Sequence, residues 1–196
     1  MNIPNRLSLI RIFMVPIMGI FYVLNNTWSV IVAVALFLIA VFTDFLVGYI
    51  ARKTNQVTDL GKLLDPIADK LLVCCALFLI VENGVFSQND IIPVGVGGFC
   101  CAIIIARELL VSLLRQIGAA KGSVIQANAC GKIKAIFQYI SIPVLMMLAI
   151  KDVLISISEI LYQAFYWLGI VTFAIATILT IVSAVVYLLQ NKKIFA

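Results

Sequence analysis

Three aspartates, two glycines and an arginine recur at fixed offsets in one stretch of this sequence. It reads Asp44-Phe-Leu-Val47-Gly48-Tyr-Ile-Ala51-Arg52 and, after a basic loop, Gly61-Lys-Leu-Leu-Asp65-Pro-Ile-Ala-Asp69. Carboxylates are costly in an apolar chain, so several converging on one place point to a cation that holds them together. A hard divalent cation takes oxygen ligands, and an arginine fork nearby matches phosphate. Two such cations about 3.5–4 Å apart form the usual clamp for displacement at phosphorus. On a 3.6-residue period, positions 44, 47, 48 and 51 share one helix face. Gly48 and Ala51 keep that face shallow, so that a flat base or a neighbouring helix can come close. Asp65 and Asp69 share a face at i and i+4 around Pro66, which predicts a helix starting there with its N-terminus favouring anions. Asp65 alone could also cap that helix.

The elements that must position these groups are membrane spans. With 64% hydrophobic and 12% charged residues in 196, the chain is far too apolar for a soluble domain. Apolar runs of spanning length lie at 7–25, 28–50, 66–82, 91–114, 133–150 and 160–189, each near the roughly 20 residues a bilayer needs. The expected architecture is all-α and polytopic, one membrane domain over 1–196 with six transmembrane helices. Arg11 and Pro16 interrupt the first run, which is therefore expected to remain as a span and not to be a cleaved signal. Basic residues set the orientation. Arg6, Arg52, Lys53, Lys62, Arg115, Lys121, Lys132, Lys134, Lys192 and Lys193 fall on one side, against Lys151 on the other, so both termini are expected in the cytoplasm. Arg11, Lys70 and Arg107 lie within spans near the same ends.

Composition also excludes. The formal charge of +5 is scattered at the ends of apolar runs and makes no nucleic-acid-binding face. The five cysteines have neither metal-knuckle nor disulfide spacing and read as small packing residues. No histidine is present, which removes histidine-bearing zinc sites and Ser-His-Asp hydrolysis and leaves oxygen as the donor for any metal.

The run Asp44-x2-Val47-Gly48-x2-Ala51-Arg52-x8-Gly61-x3-Asp65-x3-Asp69 resembles the signature of the CDP-alcohol phosphotransferases, met at every fixed position except the second aspartate, here Val47. The resemblance extends to the opening Met-Asn-Ile-Pro-Asn5 and to the segment 106–134, with Ala106-Arg107-Glu108, Ser112, Arg115 and Gly131-Lys132-Ile-Lys134. It is strongest to bacterial members that condense CDP-diacylglycerol with glycerol 3-phosphate and release CMP. The resemblance implies a pair of divalent cations, Mg2+ or Mn2+, held by Asp44, Asp65 and Asp69, with Asp69 also the general base. It implies a CDP-lipid site at Asn5, Gly48, Ala51, Arg52 and Gly61, and an acceptor-phosphate pocket of Arg107, Arg115, Lys132 and Lys134. It further implies a homodimer among membrane lipids, in the bacterial plasma membrane, with the site facing the cytoplasm. Valine is close to aspartate in size but offers no lone pair, so the fold is expected to survive and turnover to suffer. A relative that binds CDP-lipid without reaction, a member using another acceptor alcohol, and an ion path built on the three aspartates stay open at this point.

Overall fold

The computed structural model describes residues 3–54, 59–88, 92–93, 95–120 and 129–190. Seven helices account for nearly all of these: α1 (Ile3–Val23), α2 (Thr27–Thr54), α3 (Asp59–Glu82), α4 (Val96–Ala120), α5 (Ala129–Met147), α6 (Lys151–Ile157) and α7 (Glu159–Gln190). Among the described residues there is no strand. Such a plan follows from the solvent: without water, each backbone donor and acceptor must be satisfied within its own segment. Five stretches are long and apolar enough to cross a membrane: Asn5–Val23, Thr27–Leu46, Val96–Gly118, Cys130–Ile157 and Glu159–Tyr187. α3, the remaining long helix, is charged through its first half and apolar from Leu71 to Val81. The protein is an all-α, multi-pass membrane protein.

Its surface has the polarity expected in lipid. Phe13, Trp28, Phe45, Phe78 and Ile160 are exposed, while Asn5, Ser8, Arg11, Glu108, Lys134 and Gln138 are buried. Buried threonine hydroxyls on α7 are satisfied locally. Those of Thr172, Thr177 and Thr180 donate to the carbonyls of Leu168, Phe173 and Ala176, so they carry no desolvation penalty into the bundle. α5 packs most extensively on α7, α1 on α2 and α3, and α4 bridges α3 and α7. At the end where α3 finishes, the core closes on Leu77, Ile80, Val85, Phe86, Leu145 and Phe173.

Local signals set the boundaries. Asn26 Oδ1 accepts from the Ser29 amide at 2.9 Å and Ser29 Oγ accepts from the Asn26 amide at 3.1 Å, a reciprocal cap that starts α2. Gly95, at φ 100, starts α4 in a backbone shape that side chains resist, so the helix begins at Val96 and not near 91. Two further departures from the sequence reading concern α3 and α6. α3 begins at Asp59, which puts Pro66 and Asp65 inside the helix; Asp65 therefore does not cap it. Pro66 there removes one backbone donor without ending the helix. The stretch after Lys151, expected as a loop, continues the α5 span through a 3-10 turn into α6. The chain reverses only at the extended Ser158, whose carbonyl accepts from the Tyr162 amide.

Candidate functional site

Asp44 lies in the second half of α2, and Arg11 Nη1 of α1 donates to its Oδ1 at 2.6 Å. Arg11 is wholly buried while the Asp44 side chain is 41% exposed, so the ion pair joins the protein interior to an open surface. An unpaired arginine inside a span is costly, and the aspartate offsets part of that cost. Among the described residues, Arg11 Nε and Nη2 find no hydrogen-bond partner.

Asp69 lies one turn beyond Asp65 on α3. Its Oδ1 accepts from the Tyr139 hydroxyl of α5 at 2.7 Å, and its Oδ2 accepts from Lys70 Nζ, also at 2.7 Å. Lys70 Nζ reaches Glu108 Oε2 of α4 at 2.5 Å. The other oxygen of Glu108 pairs with Lys134 of α5 and lies 3.8 Å from Arg107 Nη1. Arg107 Nη2 in turn donates to Ser183 Oγ of α7 at 2.8 Å, and the Arg115 guanidinium stands 5.9 Å over the Tyr187 ring. Five charged groups on α3, α4 and α5 thus form one connected set, in which each buried charge has an opposite neighbour.

Two cavities open on this set. One, of about 390 Å³, is lined by Asp44, Pro66, Asp69, Lys70, Ser112, Arg115 and Gln116. The other, of about 220 Å³, has Arg107, Glu108, Lys132, Lys134, Gln138 and Tyr139 on its wall and shares Asp69, Lys70 and Arg115 with the first. Asp44 and Asp69, 25 positions apart, therefore meet on one cavity, and Arg107, Arg115, Lys132 and Lys134 meet on the next. Asn5 and Gly61 are buried but line neither. The side chains of Val47, Ala51, Arg52 and Asp65, and the surroundings of Gly48, lie outside the described residues, although their backbone is helical.

A sequence profile of the CDP-alcohol phosphatidyltransferases matches residues 1–195. The chain belongs to that family. It is similar to proteins named CDP-diacylglycerol–glycerol-3-phosphate 3-phosphatidyltransferase in several bacteria. With that of Rickettsia felis it is 34% identical over 194 residues, 99% of this chain and 97% of the relative. With that of Bacillus subtilis the identity is 40% over 158 residues, 74% and 77% of the two chains. With that of Escherichia coli K12 it is 32% over 192 residues, 95% and 93%. As a phosphatidyltransferase, the chain is an enzyme of phospholipid metabolism by family.

The donor set fits the divalent cation that a CDP-alcohol phosphatidyltransferase uses. Among the described residues no three acidic or cysteine side chains gather within metal-binding reach, the side chain of Asp65 lying outside them. Yet Asp44 and Asp69 each already hold a cationic group, Arg11 and Lys70, on the wall of one cavity. Both supply hard oxygens, as magnesium and manganese prefer. Sequence reasoning placed Lys70 near this boundary and quoted Glu108 without giving either a part, and it passed over Tyr139 and Ser183. An acid inside the apolar run around 108 was the available signal, since an ionisable group in a span marks a site by default.

Proposed function

We propose that this chain transfers the phosphatidyl group of CDP-diacylglycerol to glycerol 3-phosphate, giving phosphatidylglycerophosphate and CMP. One observation carries the reading: Asp69 stands on the wall between the cavity that holds Asp44 and the cavity that holds Arg107, Arg115, Lys132 and Lys134. An acceptor whose phosphate sits among those four cations brings its hydroxyl toward Asp69. The names of the relatives support the same pair of substrates.

In this reading the CDP-lipid lies over the first cavity, its pyrophosphate near Arg52, with Gly48, Ala51 and Gly61 leaving room for the cytidine. Each oxygen of Asp69 has one donor in the resting protein and a further lone pair to offer. Asp69 takes the proton of the primary hydroxyl of glycerol 3-phosphate. That oxygen forms a bond to the phosphatidyl phosphorus while the bond to CMP breaks, and CMP leaves with the electron pair. A divalent cation held by Asp44, Asp65 and Asp69 would spread the charge of the pyrophosphate and of the departing CMP. Arg11 keeps the Asp44 carboxylate aimed at the cavity. The charged end faces the cytoplasm of a bacterial plasma membrane, on the side where the basic connections accumulate.

Val47 removes one oxygen donor from the face it shares with Asp44, and water is a poorer substitute for a fixed anion. Turnover of this chain is therefore expected to lie at least about 100 to 1,000-fold below that of its Val47→Asp version, the loss of one electrostatic stabiliser taken as the floor. Release of CMP from CDP-diacylglycerol and glycerol 3-phosphate, in detergent with magnesium or manganese, measures both. Equal rates would overturn the part given to position 47. CMP release from both only with another alcohol, such as serine or inositol phosphate, would overturn the acceptor. Silence of both with every acceptor would favour a protein that binds CDP-lipid without reaction, a reading for which Val47 is the supporting observation.

A further inference from the structure

Lys70 and Glu108 have no part in the chemistry above, yet they connect its two halves. Lys70 Nζ lies between two carboxylates, 2.7 Å from Asp69 Oδ2 and 2.5 Å from Glu108 Oε2. Glu108, 6% exposed, holds Lys70 by one oxygen and Lys134 by the other. Lys134, on the wall of the basic cavity, is itself buried. A buried carboxylate does not give up one cation without taking another, because an unpaired charge there is far costlier than a paired one.

We infer that Lys70 and Glu108 form an ionic relay through which a phosphate bound at Lys134 frees Asp69. The inference rests on the reading of the basic cavity as the acceptor pocket. When an acceptor phosphate pairs with Lys134 and Arg107, Glu108 loses its partner on that side and draws Lys70 wholly to itself. Lys70 then leaves Asp69 Oδ2, and the carboxylate is released to take the hydroxyl proton. With the pocket empty, Lys70 keeps Asp69 engaged, and water finds only a weakened base with which to attack the CDP-lipid and give phosphatidate and CMP. Both residues are positioning residues, acting through Asp69 and Lys134.

Linkage fixes the signs. In Glu108→Gln the anion that competes for Lys134 is gone, so phosphate binds more tightly. In Lys70→Met, Glu108 has no replacement cation and clings to Lys134, so phosphate binds more weakly. Calorimetric titration of glycerol 3-phosphate into the full chain in detergent micelles reads both, with inorganic phosphate as a second probe. The expected result is a Kd about tenfold lower in Glu108→Gln and about fivefold higher in Lys70→Met, within the range of ordinary coupling. Weaker binding in both variants, which general damage would produce, or no change in either, overturns the relay. Should Glu108→Gln fail to fold, Lys70→Met in a Val47→Asp background decides the question. It must release more CMP without acceptor, relative to CMP with acceptor, than its parent, and an unchanged ratio overturns the relay. If glycerol 3-phosphate binds no better than inorganic phosphate, the acceptor reading fails while the relay is still judged by the phosphate titrations. Binding of neither probe overturns both.

Discussion

The two ends of this bundle are held together by different physics. At one end α1 to α5 meet through charges: Arg11 on Asp44, Lys70 between Asp69 and Glu108, Lys134 on Glu108. At the other they meet through shape, with the Phe86 and Phe173 rings 5.0 Å apart and Gly97 of α4 lying flat against Phe86. Hydrophobic burial adds little to association between helices in lipid, where close packing and polar contacts must do it. The shape-held end is suited to stability, because each helix there fits only one way. The charge-held end can exchange partners when a ligand brings charge of its own. Substitutions at the two ends should accordingly move different observables.

The largest effect belongs to the charged end. Asp69→Asn keeps the volume and can still accept from Tyr139, but it takes up no proton and gives Lys70 no countercharge. In a Val47→Asp background, where the signal is highest, CMP release should fall about 100 to 10,000-fold, the usual worth of a general base. Thermal unfolding in detergent should shift little. A large fall in melting temperature with activity mostly retained would reverse the division of labour between the two ends.

The same division decided how much was legible in the sequence. The apolar spans and the motif from Asp44 to Asp69 follow from apolar runs and spacing, which are local properties. The pairing of Arg11 with Asp44 joins residues 33 apart, and that of Arg107 with Ser183 joins residues 76 apart, so no local pattern announces them. Boundaries failed where one signal had two readings. Pro66 favours a helix start but is tolerated inside a span, and the chain reads through it from Asp59. Lys151 suggested a surface loop, yet the α5 span continues past it into α6. Glu108 was visible as an acid in an apolar run, but its part depends on two cations, Lys70 and Lys134, that only the packing of α3 and α5 on α4 brings to it.

A smaller effect, of the opposite kind, is expected at the shape-held end. A Cβ at Gly97 would fall 2.2 Å from Phe86 Cγ, so Gly97→Ala must push the Phe86 ring from its place beside Phe173. Overpacking of this sort costs about 1–3 kcal/mol. The melting temperature in detergent should drop, while the KM for glycerol 3-phosphate, set at the other end, should hold. A changed KM with an unchanged melting temperature would mean that the two ends are mechanically coupled.

The smallest effect sharpens the comparison within the charged end itself. Tyr139→Phe removes one hydroxyl from Asp69 Oδ1 and leaves both charges of the Asp69–Lys70 pair in place. Two consequences oppose each other. Loss of a donor makes the carboxylate a stronger base, but it also lets Asp69 turn about its side chain, with Lys70 as its remaining side-chain anchor from the resting arrangement. A misaimed base loses more than a slightly stronger one gains, because proton transfer needs hydrogen-bond reach. The kcat should fall about tenfold, the equivalent of one hydrogen bond to a charged group. KM for both substrates should stay near that of the parent, since Tyr139 lines the basic cavity without contributing charge to it. A higher kcat in Tyr139→Phe would mean that basicity, and not aim, limits Asp69, and the charged end would then be tuned by its hydrogen bonds more than by its ion pairs.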